Sequence, residues 1–193
     1  AIAYGPLDGP LPGGARFVPL APPVTPSVRE RIATLTGLVG ARAHLSDYDR
    51  LFWRYPLYRA AHDALRAADA DVVLANDWPA LPVACRVARE SGTPVVLDLH
   101  EYAPRQWDHV WHWRLLRGPM IDRLLRRHVA CAAATLTVTD ALAEAYARDY
   151  GFRPTVLLNA PERVPLPAAR PCDPHAVRIV HHGVAGRARR LDG

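Results

Sequence analysis

Residues 71–102 read DVVLANDWPALPVACRVARESGTPVVLDLHEY: a short apolar run, a helix-length segment stopped by Ser91-Gly92, and a second apolar run. Antiparallel neighbours need only a tight turn, whereas parallel neighbours need a crossover of a dozen or more residues, most often a helix. The segment therefore predicts a βαβ unit, with strands apolar enough to be buried in a parallel sheet. Asn76-Asp77 and His100-Glu101 come directly after the two runs. In an open parallel sheet the carboxyl ends of the strands border the ligand crevice, so polar side chains from two such ends can converge on one substrate. An enzyme is the first expectation.

The same alternation extends along the chain. Residues 1–4 and 15–20 predict short strands flanking the Pro/Gly loop GPLDGPLPGG, and Ser27 or Thr25 is placed to cap a helix over 28–39. A second helix is predicted over 48–68, where Leu51, Phe52, Tyr55, Tyr58, Ala61, His62 and Leu65 form one apolar stripe that Pro56 kinks or splits. The βαβ unit is a strand at 72–75, a helix at 81–90 and a strand at 94–99. Residues 110–134 predict a long helix interrupted near Gly118-Pro119, followed by a strand at 135–138. Thr139 or Asp140 can cap a helix at 141–150, and Gly151 ends it before a strand at 155–158. Strands alternating with helices give the fold class: α/β, with a doubly wound parallel sheet.

Residues 160–175, APERVPLPAARPCDPH, are proline-rich without periodicity and read as a linker. The run at 177–180 beyond it predicts the first strand of another domain, of which 176–193 hold a stub. The domain reading is thus 1–159, a linker at 160–175, and 176–193. The chain opens on alanine and its one methionine is Met120, so it reads as part of something longer.

Composition removes several function classes. No window approaches the ~20 uninterrupted apolar residues of a membrane span, and the N-terminus lacks a signal peptide's basic start and apolar core. The cytoplasm is the expected compartment. Cys85, Cys131 and Cys172 lie far apart and odd in number, which predicts inert thiols and not a disulfide framework. The nine histidines form no H-E-x-x-H, and His109 and His112 lack a companion at ligand spacing, so no metal site is expected. All 24 basic residues are arginine, a compositional bias that makes the net charge of +5 a poor argument for nucleic acid. Trp53, Trp107, Trp111 and Trp113, the last three among arginines in WDHVWHWRLLRG, suit either core packing or an interfacial helix, which raises peripheral membrane association as a secondary expectation.

Four stretches together resemble the N-terminal half of GT-B glycosyltransferases of the family 4 type. DVVLANDWPALPVA resembles a strand ending in a polar pair before a helix, and GTPVVLDLHEY the next strand with its His-Glu ending. AAATLTVTDALAEAYARDYGFRPTVLLNAP resembles the segment in which a "TVS" strand and helix lead to a strand ending in asparagine. VRIVHHGVAGRARRLDG is similar to the opening strand and glycine-rich loop of the donor-binding domain. The first seventy residues match only loosely.

The resemblance implies a Rossmann-like acceptor-side domain and a retaining, metal-independent transfer of a hexose-type unit from a nucleotide sugar to an acceptor hydroxyl. The nucleotide sugar is a cosubstrate, with no further cofactor. The acceptor would be a sugar, a lipid-linked sugar or a small molecule, and the place of work the cytoplasm or the inner face of its membrane. His100 matches the family's histidine near the reaction centre, and imidazole suits that place because it donates or accepts a hydrogen bond near neutral pH. Asn76, Asp77, Glu101 and Asn159 would bind substrate; Asp77 also has the alternative role of a helix cap, and Asn76 stands where relatives often carry histidine. Gly183 would let backbone N–H groups approach a diphosphate, with Arg189 and then Arg187 neutralising it. Without the rest of a donor domain, the chain alone is expected to be inactive. A nucleotide-sugar epimerase of the same architecture and a non-catalytic binding module are the alternatives.

Overall fold

A computed structural model of the chain describes residues 2–4, 17–20, 27–44 and 47–160. The chain divides into two units, Ala1–Asn159 and Ala160–Gly193, and the described residues, Ala160 apart, belong to the first. Ala160 apart, the linker at 160–175, the strand at 177–180 and the loop with Gly183, Arg187 and Arg189 lie outside the described residues.

The βαβ unit is present, and it sits at the edge of a four-stranded parallel sheet. β3 (Val73–Asn76), β4 (Val95–Leu99), β5 (Ala132–Thr137) and β6 (Thr155–Val156) pair in that order, each parallel to the next. The crossovers are α4 (Asp77–Ser91), α5 (Gly118–His128) and α6 (Asp140–Tyr150). Right-handed connections through strands in consecutive order place all three helices on one face. The burial pattern agrees: Val73, Ala75, Val95, Leu97 and Leu99 are buried, while their alternates Leu74 and Asn76 are exposed and Val96 and Asp98 half-exposed. The α/β parallel architecture is the expected one.

Before β3 come a separate parallel pair, β1 (Ile2–Tyr4) with β2 (Val18–Leu20), and three helices: α1 (Val28–Arg42), α2 (Tyr48–Trp53) and α3 (Pro56–Arg66). Ser27 caps α1 through a complete capping box with Glu30. Pro56 splits the predicted 48–68 helix: it occupies the first position of α3, where its missing N–H is no loss. Phe52 stacks on Tyr58 across the break at 3.8 Å, so the apolar stripe survives it. At the far ends of the helices, the buried His128 of α5 meets Asp49 of α2 at 2.7 Å, with Arg127 2.6 Å from the other oxygen of that carboxylate. Burial alone would raise the Asp49 pKa; the His128 hydrogen bond and charge, then Arg127 and Arg89, outweigh it and hold the group low.

Three expectations need correction. The helix predicted at 81–90 starts at Asp77: Pro79 lies in its first turn, where a missing N–H is no loss, and the helix runs on through Pro82 in its interior. The helix predicted to run to 134 ends at His128, followed by a 3-10 turn at Val129–Cys131. Ala132, Ala133 and Ala134 belong to β5, where pairing with β4 overrides the helix preference of alanine. The third concerns sulfur: Cys85 and Cys131 form a disulfide, with Cα atoms 5.8 Å apart. Distance in sequence hid their proximity, since the crossover brings the middle of α4 beside the end of α5. Cys85 Sγ also lies 3.3 Å from the His128 carbonyl oxygen, a contact and not a hydrogen bond, because a disulfide sulfur carries no hydrogen.

Candidate functional site

The parallel register sets Asn76 beside Asp98, and Leu99 beside Thr137, at the carboxyl ends of β3, β4 and β5. Wholly buried Thr137 donates from Oγ1 to the Leu99 carbonyl at 2.7 Å and pins the end of β4 to its neighbour. One residue on, the chain leaves the sheet at His100.

His100 is held at two points. Its backbone N–H donates to Asp77 Oδ1 at 3.0 Å, and its ring Nε2 lies 2.9 Å from Asp98 Oδ2. Asp98 and His100 are two apart, so strand alternation turns both to the open face of the sheet. A carboxylate only accepts, so in the neutral ring the hydrogen sits on Nε2, which leaves Nδ1 with no partner among the described residues. The hydrogen bond to Asp98 raises the His100 pKa above its ordinary value; burial opposes the shift, and the charges of Asp98, Asp77 and Glu101 add to it. The His100 side chain is 44 % exposed and that of Asp98 20 %, so the pair is open to a ligand while its carboxylate is partly shielded.

Asp77 reaches His100 from an uncommon backbone conformation. Its φ is 57°, in the left-handed region that costs a side-chain-bearing residue roughly 1–2 kcal/mol. Asn76 is the N-cap of α4 but makes no side-chain cap bond, and Asp77 spends its carboxylate on His100 instead of the helix. The helix-cap role expected for Asp77 is therefore not the one it plays. Asn76 keeps a free side-chain amide next to Asp98, among the described residues.

The loop after His100 rests on an aromatic floor. Tyr146 of α6, wholly buried, donates to the Glu101 carbonyl at 2.7 Å and accepts the Ala103 N–H at 3.3 Å. Burial pushes its phenol up to about 12, so it remains a donor throughout the physiological range. Tyr102 and Phe152 pack on Tyr146, and Tyr102 donates to Asp149 at 2.5 Å. Asp149 is pulled down to about 2 by Arg148 first and by the Tyr102 hydrogen bond second. Beyond the 3-10 turn Ala103–Arg105, the Trp113 indole N–H donates to the Pro104 carbonyl at 3.2 Å. The same carbonyl would lie 2.6 Å from any Cβ at Gly118, so that close approach admits only glycine.

The fold thus gathers Asn76, Asp77 and His100, with Glu101 exposed beside them, at the ends of two adjacent strands. Asn159 is exposed three residues past β6, and β6 lies two strand spacings, about 10 Å, from β4. No hydrogen bond or ion pair ties it to the His100 group. Asp98 and Tyr146 are the residues that sequence reasoning missed. The first was detectable, since alternation in VVLDLHEY puts positions 98 and 100 on one face; nothing in the sequence marks Tyr146. Among the described residues no three His, Cys, Asp or Glu side chains are grouped to hold a metal ion, and no helix is long and apolar enough to cross a membrane.

A family model described as a glycosyl transferase 4-like domain matches residues 8–161, a span that contains every element and side chain of this group. Neither a curated protein nor a solved structure matches the chain.

Proposed function

The chain belongs to the glycosyl transferase 4-like family, and from that premise we propose that the His100 group is the acceptor and transferred-sugar side of a retaining glycosyltransferase that uses a nucleotide sugar. The observation that carries the reading is the Asp98–His100 pair on the open face at the end of β4, with Asn76 alongside. A transferred sugar presents several hydroxyls and, at the transition state, an electron-poor anomeric carbon. A histidine whose Nε2 is engaged by Asp98 meets such a ligand through Nδ1, as an acceptor when neutral and a donor when protonated. Asn76 offers a carbonyl and an amide to neighbouring hydroxyls, and Glu101 offers a carboxylate to the acceptor hydroxyl. Holding donor and acceptor in register by such contacts supplies a large part of the rate enhancement in group transfer.

The departing diphosphate gathers negative charge, and Gly183, Arg187 and Arg189 are the residues proposed to receive it. Asn159 is proposed to contact substrate from the end of β6. The transfer is proposed to be of a hexose-type unit, to need no metal, and to take place in the cytoplasm; in a reducing compartment Cys85 and Cys131 would stand as thiols. The acceptor class comprises sugars, lipid-linked sugars and small molecules with a free hydroxyl.

The chain alone is proposed to be inactive without a donor-binding domain, so the test is a transfer assay on the enzyme with that domain present, against a panel of nucleotide sugars, with the product anomer assigned by NMR. His100→Ala is expected to lower kcat/KM by about 100-fold or more, in the range typical of a positioned acid–base group. An unchanged rate in that variant would remove His100 from the mechanism, and an inverted anomer would exclude retention. The same Asp98–His100 pair favours one second reading, a nucleotide-sugar epimerase, in which it would move a proton at a ring carbon. That reading predicts an isomerised donor and solvent deuterium in the product with no acceptor present.

A further inference from the structure

α1 has two apolar faces, and the fold uses one. Leu38 and Ala41 are buried against the core. Val28, Ile32, Leu35 and Val39, spaced by four, three and four residues, make a second stripe that is between 50 and 72 % exposed. At 100° per residue this stripe spans about 60° of the helix and is centred roughly 120° away from the buried face. Single exposed aliphatic side chains are ordinary, but a continuous stripe marks an interaction surface. α1 also packs against the π-helical turn Trp113–Arg117, on and beside which Leu115, Trp111 and Trp107 are exposed.

The charges that flank this surface without a partner are basic. Arg29, Arg31 and Arg42 on α1 and Arg114 and Arg117 on the turn have no carboxylate partner among the described residues. Of the nearby carboxylates, Asp108 is paired with Arg105, and Glu30, hydrogen-bonded to Ser27, keeps its charge about 170° around the helix from the stripe. An apolar stripe with exposed tryptophans and flanking arginines is the composition of a helix that lies in the plane of a bilayer surface, where arginine stems cover acyl chains and their heads meet phosphates.

We propose that α1 and residues 107–117 form a docking surface for an anionic lipid bilayer. A second copy of the chain is the poorer occupant, because it would bring the same uncompensated arginines to the seam, whereas anionic headgroups supply the opposite charge. The proposal stands independently of the sugar-transfer reading, and its test does not depend on activity.

The experiment is co-sedimentation of the intact protein with phosphatidylglycerol vesicles and with phosphatidylcholine vesicles, at low and high salt. Binding to the former at low salt, weakened by salt and absent from the latter, is the expected result. Arg31→Ala and Arg114→Ala should each weaken partitioning about fivefold. Ile32→Glu and Leu35→Glu should weaken it at least about tenfold, with unchanged far-UV circular dichroism because both side chains are exposed. Absence of binding to phosphatidylglycerol at low salt would overturn the proposal, as would undiminished binding of the two glutamate variants. A concentration-dependent dimer abolished by those variants, without vesicle binding, would assign the surface to a contact between copies and also overturn it.

Discussion

Tyr146→Phe isolates the tie between α6 and the loop that follows His100. The substitution keeps the ring and its packing against Tyr102 and Phe152, and removes one oxygen. That oxygen is the donor to the Glu101 carbonyl at 2.7 Å and the acceptor of the Ala103 N–H at 3.3 Å. A typical internal hydrogen bond contributes about 1 kcal/mol, and a buried polar group left unpaired costs about 1–3 kcal/mol. Ala103 is buried, so its N–H stays orphaned; the Glu101 carbonyl, beside an exposed side chain, regains water. The expected loss is therefore about 2 kcal/mol, read from urea unfolding at constant m, or a fall in Tm of roughly 4–8 °C for a domain of this size. Tyr146→Ala should cost about 3–5 kcal/mol, the excess measuring the ring and its cavity.

An alkaline titration supplies a second reading of the same bond. The folded pKa of Tyr146 lies above the unfolded value of 10.0, so its contribution is complete below pH 10 and is lost as pH rises toward the folded value of about 12. Tyr102 and Tyr150 are raised in the same direction, burial being the first cause in each, so the variant should keep part of the alkaline loss. A Tyr146→Phe protein within about 0.5 kcal/mol of the parent, with the same alkaline slope, would refute the role given to this hydroxyl.

Other expectations concern the strand ends and the sulfur bridge. NMR titration of His100 should give a midpoint above 6.5 that Asp98→Asn lowers; because the folded value is raised, the pair's small stabilising effect is present below pH 6.5 and fades as pH rises through that midpoint. An unmoved midpoint in the variant would contradict the Asp98–His100 pairing. Asp77→Ala should destabilise by about 1–2 kcal/mol in chemical unfolding, combining the greater left-handed cost of alanine with the lost hydrogen bond to the exposed His100 N–H, and Asp77→Asn by less than about 1 kcal/mol. Equal costs for the two would refute that account. With three cysteines and one bridge, the unreduced, denatured protein should titrate one thiol. Cys131→Ala should lower stability by about 4 kcal/mol for a 46-residue separation, with reductant abolishing the difference. Three thiols without reductant would refute the bridge.

How much of this could be read from residues alone depended on whether the cause was local. The βαβ unit, the break at Pro56, the Thr139 cap and the Gly151 stop all follow from periodicity, ring geometry or a single side chain, and each stands where expected. The position of His100 and Asn76 at strand ends followed for the same reason. What escaped depends on partners distant in sequence. Asp77 was legible as a polar residue before a helix, yet its actual partner is 23 residues on. Ala132 to Ala134 form a strand because β4 lies beside them, and Cys85 meets Cys131 because two crossovers converge. For α1 the sequence predicts a capped helix over 28–39 and no more; which of its faces meets the core is shown only by the packing.

The left-handed backbone at Asp77 sets two separate demands on one position. Conformation favours glycine, asparagine or aspartate there, while the His100 N–H requires a short side chain ending in an oxygen acceptor, which glycine lacks. The two filters overlap in a two-letter alphabet, Asp and Asn, and those letters differ by one unit of charge next to a histidine that senses it. Position 77 is thus a place where the shape of the site can be held constant while the proton affinity of His100 is adjusted, a tuning control separated from the architecture that carries it.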